Sequence, residues 1–207
     1  MPDNPSLAEQ TSKVAAITLV FWIMKVVTTT VGDLSGDLLS LTLGLGYYLA
    51  LAVALAVMAA VLGVQLRTQR ASSAVYWALM LLSSTVGAEV SDSLDRALHW
   101  GALGGAGLLL GCLLATLAIW RLNRGEIRIY PIHARAALGF YWLAAIFANS
   151  LGSAIGDLVG DRLGFGVLGG VVLNAAVLAL LTILYYTRRA SRTGLFWTAF
   201  VFSRISF

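Results

Sequence analysis

Six long apolar runs dominate this sequence. They cover residues 14–31, 38–66, 75–90, 100–120, 132–151 and 163–186. A helix needs about 20 mostly apolar residues to cross the hydrocarbon core of a bilayer. Because backbone groups in lipid must find partners within their own segment, each run is predicted to be a transmembrane helix. A seventh run begins near Leu195 and reaches Phe207.

The composition agrees with a membrane protein. Hydrophobic residues make up 59% and charged residues 12%, whereas soluble domains are about 45–50% apolar and about 25% charged. This excludes a soluble, disordered or nucleic-acid-binding protein, although the formal net charge is +4. The single cysteine, Cys112, excludes a disulfide within the chain. No phosphate-binding loop or nucleophile motif is present, so neither an enzyme nor a resident cofactor is expected.

The charges of the connections predict an orientation. Connections 65–73, 121–135 and 187–192 carry nine arginines and one acid, Glu126. The connections at the opposite end carry seven acids and two arginines. By the positive-inside rule, the arginine-rich connections and the N-terminus are predicted to be cytoplasmic.

An internal repeat organises the chain. An aromatic residue followed by tryptophan recurs four times, with the tryptophans at Trp22, Trp77, Trp142 and Trp197. A glycine follows ten residues later in the first three copies, at Gly32, Gly87 and Gly152. An aspartate follows the tryptophan by fifteen residues, at Asp37, Asp92 and Asp157. A second glycine follows each aspartate by nine residues, at Gly46, Gly101 and Gly166.

Each copy is therefore predicted to be a hairpin of two spans, with all copies in one orientation. The repeats cover approximately 14–66, 73–120, 132–186 and an incomplete 195–207 of a single membrane domain, 1–207. Small residues in the second helices, such as Gly107 and Gly111, are predicted to allow tight helix packing.

The segment FWIMKVVTTTVGDLSGD at residues 21–37, followed by the YW, YW and FW copies, resembles a bacterial membrane-protein family. That family, domain of unknown function number 347, has four tandem repeats, each with two transmembrane regions and a tryptophan. The resemblance implies an all-α polytopic bundle of eight helices, of which this sequence holds about six and a half. It brings no settled function.

Polar side chains recur at matching depths in the first helix of each repeat. Lys25, Thr29 and Asp33 share one helical face. The position of Thr29 is matched by Ser84 and Asn149, and the adjacent position reads Thr30, Thr85 and Ser150. If the first helices lie innermost, these side chains form a ring of polar groups along a transport pathway. The alternative is ordinary hydrogen bonding within and between helices.

Acids are predicted to stand above this ring, at the extracytoplasmic mouth. They are Asp33, Asp37, Glu89, Asp92 and Asp157. Hard divalent cations prefer such oxygen ligands, so the acids are candidate metal ligands. Alternatively, the repeated aspartates cap the N-termini of the second helices.

Lys25 lies near the middle of the first run, where a charge costs on the order of 3 kcal/mol. A carboxylate partner or a polar cavity is therefore expected, and as a partner Asp157 or Glu89 suits better than Asp33. Lys25 is either a proton-linked switch or tethered internal cation, or one half of a structural ion pair. Arg204 would be a second buried cation if the seventh run inserts, and two such cations would favour an anion.

These features predict a small secondary transporter of the bacterial inner membrane that exports a cation. A divalent metal such as Mn²⁺ or Mg²⁺ is expected as the substrate, with proton coupling as an option. A passive ion channel and a non-transporting scaffold or sensor subunit are the alternatives. The expected partners are the lipid bilayer, the inorganic ion and a second copy of the chain in a homodimer, but no nucleic acid.

Overall fold

The computed structural model describes residues 12–68, 72–97, 101–162, 166–187 and 191–204. In these ranges the chain is helical and has no strand. The seven α-helices are α1 (Leu19–Asp37), α2 (Gly46–Arg67), α3 (Ser73–Asp92), α4 (Gly101–Arg124), α5 (Arg135–Asp157), α6 (Gly166–Tyr186) and α7 (Arg192–Phe202). Six of them are long and apolar enough to cross a membrane. The predicted all-α polytopic bundle is confirmed, while the orientation of its N-terminus stays a prediction.

A π-helical turn follows the first helix of each of the first three repeats. The turns are Leu38–Thr42, Ser93–Ala97 and Leu158–Arg162. Each turn begins directly after a repeated aspartate, and the second helix starts nine residues beyond that aspartate. At α2 the N-cap residue is Leu45 and no side chain caps the helix, so Asp37 does not have the capping role. Capping by Asp92 and Asp157 stays a prediction. We call this end of the molecule the acidic end, and the end formed by connections 65–73, 121–135 and 187–192 the arginine-rich end.

The glycine nine residues after each aspartate is the first residue of a second helix. Gly46, Gly101 and Gly166 have φ angles of 71°, 74° and 60°. This left-handed region is accessible to glycine without the steric cost that a Cβ atom would add. The repeated glycine is thus explained by the change of direction between the π-helical turn and the returning helix.

The first helices form the inside of the bundle. Helix α1 packs on α3, α3 on α5, and α5 on α7. The second helices lie outside, and each packs mainly against the first helix of the following repeat: α2 on α3, α4 on α5, and α6 on α7. Burial agrees, since 61% of the apolar span Arg135–Gly160 is buried but only 22% of Gly46–Arg67.

Aromatic side chains close the first helices into a ring near the arginine-rich end. In each case, the aromatic residue that precedes the tryptophan contacts the tryptophan of the next repeat. The centroid distances are 5.9 Å for Phe21–Trp77, 5.4 Å for Tyr76–Trp142 and 5.9 Å for Tyr141–Trp197. Phe196 contacts Trp22 at 5.9 Å and so joins the fourth copy to the first. Each such pair adds about 0.5–1.5 kcal/mol beyond its buried area.

The glycine ten residues after each tryptophan marks where successive first helices cross. A Cβ atom on Gly32 would lie 2.6 Å from Cβ of Ser84, and one on Gly87 would lie 2.8 Å from Cβ of Asn149. One on Gly152 would lie 3.1 Å from Cβ of Arg204. By contrast, nothing lies within 4 Å of such an atom on Gly107 or Gly111. The close packing predicted for second-helix glycines therefore occurs at the first helices instead.

Candidate functional site

Four equivalent positions of the repeat meet at the centre of the inner bundle. Thr29, Ser84, Asn149 and Arg204 are separated by the same intervals as the tryptophans, and each is at most 1% exposed. We call these four residues the central tier. Their burial within the bundle places the predicted trio Thr29, Ser84 and Asn149 on the inside and adds Arg204 to it.

Hydrogen bonds connect the tier across the helices. The hydroxyl of Ser84 donates to the carbonyl oxygen of Thr29 at 3.1 Å. The Nη1 atom of Arg204 donates to the carbonyl oxygen of Ser84 at 2.9 Å and to its hydroxyl at 2.5 Å. The Nδ2 atom of Asn149 donates to the hydroxyl of Ser83 at 3.0 Å. The side chain of Arg204 therefore spans the bundle from the end of α7 to α3, on the opposite side.

Arg204 also forms an ion pair with Asp33 on α1. The arginine side chain is fully buried, while 22% of the Asp33 side chain is exposed toward the acidic end. The cation that pairs with this inward-lying acid is therefore a side chain of the protein itself.

Lys25 lies next to this pair without a hydrogen-bond partner. The residue is 0% exposed, and its Nζ atom lies 4.0 Å from the centroid of the Phe200 ring. Phe200 is the residue that matches Lys25 in the fourth repeat. Among the described residues, Nζ has no hydrogen-bond acceptor. The expected ion pair with Asp157 or Glu89 was therefore wrong, because Phe200 occupies the space beside the amine.

The adjacent positions Thr30, Thr85 and Ser150 do not join the predicted ring. Thr30 is exposed on the outside of α1, where its hydroxyl donates to the carbonyl oxygen of Val26 at 3.0 Å. Thr85 is buried and donates to Gly32 at 3.0 Å, and Ser150 is buried and donates to Ile146 at 2.9 Å. All three hydroxyls donate to backbone carbonyl oxygens. The assignment of Thr30 to the pathway was therefore wrong, and the bonds of Thr85 and Ser150 support the alternative of hydrogen bonding within and between helices.

The five predicted metal ligands do not converge on one point. Asp33 pairs with Arg204, and Asp92 pairs with Arg96 at 3.4 Å, while Asp37 is exposed at the end of α1. Within the described ranges, no three Asp, Glu, His or Cys side chains are arranged to hold a metal ion. The prediction that these five acids together form a metal site was therefore wrong for this structure.

Glu89 is the most deeply buried of these acids. It is 1% exposed and lies against Gly36, while the nearby hydroxyl of Ser40 donates to the carbonyl oxygen of Gly36 at 2.9 Å. The Oε2 atom of Glu89 has no hydrogen-bond partner. Asp157 is half-buried at the end of α5. Glu89 and Asp157 therefore stay close to the acidic end, above the central tier.

A polar clasp at the arginine-rich end was not predicted from the sequence. Gln65 donates to the carbonyl oxygen of Lys13 and accepts a bond from Nε1 of Trp142 at 2.8 Å. Lys13 donates back to the carbonyl oxygen of Gln65 at 3.0 Å. The hydroxyls of Tyr76 and Tyr141 are bonded to each other at 2.7 Å. Together with the aromatic ring, these bonds hold the arginine-rich end of the inner bundle closed.

The fold and the site define a multi-span helical membrane protein, in which tandem two-helix repeats surround a buried cluster of charges. The family model described as Repeat of Unknown Function (DUF347) matches residues 20–71, 75–126 and 140–191. The chain belongs to this family, as its repeated motif predicted, and each match begins two residues before a repeated tryptophan. No curated protein and no solved structure matches the chain.

Proposed function

We propose that this protein is a small secondary transporter of the bacterial inner membrane that exports a divalent cation in exchange for protons. The observation that carries the proposal is the position of Arg204. Its guanidinium lies in a buried, oxygen-lined centre, where it pairs with Asp33 and donates to both oxygens of Ser84. The arginine-rich end faces the cytoplasm in this proposal, as the positive-inside rule requires.

Arg204 acts as a tethered substitute for the transported cation. Its partners are a carboxylate oxygen of Asp33 and the carbonyl and hydroxyl oxygens of Ser84. Oxygens of these three kinds are the ligands that Mg²⁺, Mn²⁺ and Ca²⁺ prefer. In the closed bundle the guanidinium satisfies these oxygens, and a hydrated metal ion from the membrane surface competes for them when the helices separate.

Lys25 supplies the proton coupling. Arg204 and Asp33 neutralise each other, so a proton on Lys25 adds a positive charge that contacts the Phe200 ring and has no hydrogen-bond acceptor among the described residues. A desolvated cation–π contact contributes about 2 kcal/mol, whereas a charge at this depth costs on the order of 3 kcal/mol. Because two added positive charges repel each other strongly in a desolvated centre, a proton on Lys25 and an added cation at Asp33 disfavour each other, which is the requirement for exchange.

A passive channel fits the inner bundle less well. Lys25, Phe200 and Arg204 are each at most 1% exposed and fill its middle, and the clasp and aromatic ring fill its arginine-rich end. Transport through this arrangement requires a change of conformation. The flux is therefore expected to saturate with substrate concentration.

A non-transporting scaffold or sensor subunit is the second candidate, and the outer face of α1 favours it. Val27 and Leu34 are 51% and 64% exposed there. The matching residues of α3, Leu82 and Glu89, are covered or half-covered. A helix of another protein could lie along α1 in the place that α2 takes on α3.

The proposed function is tested by ion flux in proteoliposomes, using a panel of Mn²⁺, Mg²⁺, Ca²⁺ and K⁺ with and without a pH gradient. The wild-type protein is expected to give saturable flux of a divalent ion that the gradient accelerates. Lys25→Met is expected to abolish the effect of the gradient. The matched control is Thr30→Val on the same helix, which points outward and is expected to behave as wild type.

Two results would contradict the proposal. Wild-type coupling in Lys25→Met would remove the role assigned to this amine. Folded wild-type protein without flux for any ion of the panel would reject transport and leave the scaffold candidate.

A further inference from the structure

A pocket of about 320 Å³ opens at the arginine-rich end, between the end of α4 and the start of α5. It lies away from the central tier and plays no part in the proposed transport. Its lining residues are Trp120, Arg124, Glu126, Arg128, Pro131, Ile132, His133, Ala134 and Ala137.

The rim of the pocket is basic. Arg124 belongs to the last turn of α4, and Arg128 and His133 belong to the connection that follows. All three are exposed. Glu126 forms an ion pair with Nε of Arg128 and so restrains that side chain at the rim. Two guanidinium groups and an imidazole therefore surround the opening with one carboxylate among them.

The floor of the pocket is apolar and fixed. Trp120 is 1% exposed and is stacked on Phe140, with a centroid distance of 6.1 Å and an interplanar angle of 12°. Ile132 is 2% exposed beside it. Pro131, Ala134 and Ala137 complete the wall. The basic rim and the apolar floor together match a ligand that has a negatively charged group at one end and an apolar body.

We propose that this pocket binds the phosphate group of an anionic phospholipid. Guanidinium groups bind phosphate oxygens through paired, charge-assisted hydrogen bonds. The rim lies where an apolar span ends, at Arg124, which is the depth of the lipid headgroups. Basic pockets between transmembrane helices at a cytoplasmic surface are suited to phosphate headgroups. The apolar floor then contacts the glycerol and the first methylene groups of the lipid.

The experiment measures lipid retention by the full-length protein in detergent, using native mass spectrometry with phosphatidylglycerol or phosphatidylcholine added. Wild-type protein is expected to retain phosphatidylglycerol in preference to phosphatidylcholine. Arg124→Gln is expected to weaken that retention about fivefold to tenfold, since it removes one phosphate-binding cation. Arg121→Gln is the matched control, because it removes the same charge from the same exposed helix end without lining the pocket.

The outcomes separate the pocket from a general surface charge. Loss of retention in Arg124→Gln but not in Arg121→Gln supports the proposal, while equal loss in both variants overturns it. Inorganic phosphate is added in a second arm. Displacement of the lipid by millimolar phosphate supports recognition of the phosphate group, and tight retention of inorganic phosphate without lipid would overturn the lipid as occupant. Arg128→Gln repeats the test at a second rim position.

Discussion

At the scale of single residues, the two buried basic side chains, Arg204 and Lys25, differ in the partners that surround them. Arg204 has an acid and two oxygens of Ser84, while Lys25 has an aromatic ring and no acceptor among the described residues. The free energy of a buried charge depends on its partners more than on its depth. Removing a partner of Arg204 is therefore expected to affect stability more than removing an exposed acid of the same helix.

Asp33→Asn is expected to lower the free energy of unfolding by about 3 kcal/mol, because it removes the negative charge that pairs with the fully buried guanidinium of Arg204. Asp37→Asn lies on the same helix, is exposed, and is expected to change stability by about 0.5 kcal/mol or less. Thermal unfolding of both purified variants in one detergent measures the difference. Equal midpoints for the two variants would contradict the assigned ion pair.

A double variant that removes both Asp33 and Arg204 gives a second test of this ion pair. The double variant Asp33→Asn, Arg204→Met is expected to recover much of the stability lost in Asp33→Asn, since the buried guanidinium is removed together with the carboxylate that pairs with it. The double variant is also expected to lose proton-driven flux, because both the carboxylate and its tethered cation are gone. Full flux in a stable double variant would show that transport does not use this pair.

The pairing of Arg204 was only partly predictable from the sequence. Its position follows from the repeat, since it lies 55 residues after Asn149 just as Ser84 lies 55 residues after Thr29. The partner does not follow, because it depends on which helices face each other around the ring. The amine of Lys25 was assigned an acid on grounds of cost, but Phe200, which matches Lys25 in the fourth repeat, occupies that place.

At the scale of helices, the close crossings of the first helices hold the inner bundle together. Gly87→Val is expected to destabilise the protein by about 1–3 kcal/mol, because its side chain would overlap Asn149 and the backbone of Ser150. The control is Gly107→Ala in α4, where the added atom meets nothing within 4 Å. It is expected to be neutral or to stabilise the helix by about 0.5–1 kcal/mol. The midpoint of unfolding measures both changes, and a larger loss in Gly107→Ala would refute this assignment.

Apolar runs predicted the helices well and their limits less well. The apolar run 38–66 predicts one span, whereas the structure has a π-helical turn at Leu38–Thr42 and a helix that starts at Gly46. Hydropathy cannot distinguish the turn from the helix, because both are apolar. The repeated glycine was the better signal, since its left-handed backbone lies at the boundary in all three copies.

At the scale of the whole molecule, the two ends differ in chemistry, and the orientation in the membrane can be measured. Cysteine is placed at Asn123, near the arginine-rich end, or at Leu43, near the acidic end, after replacing Cys112 by serine. A membrane-impermeant thiol reagent is expected to label the cysteine at position 43 in intact spheroplasts and the one at position 123 only after lysis. Labelling in the reverse order would contradict the predicted orientation. It would place the arginine-rich end, and with it the rim of the pocket, outside the cell.

The two helices of one repeat are not the two helices that pack most closely together. The outer helix of each copy lies mainly on the inner helix of the next copy, as α2 does on α3. During synthesis, each inner helix after the first therefore emerges beside an outer helix that has already entered the bilayer. Assembly can then proceed in chain order, because each inner helix after the first finds an outer helix already in place.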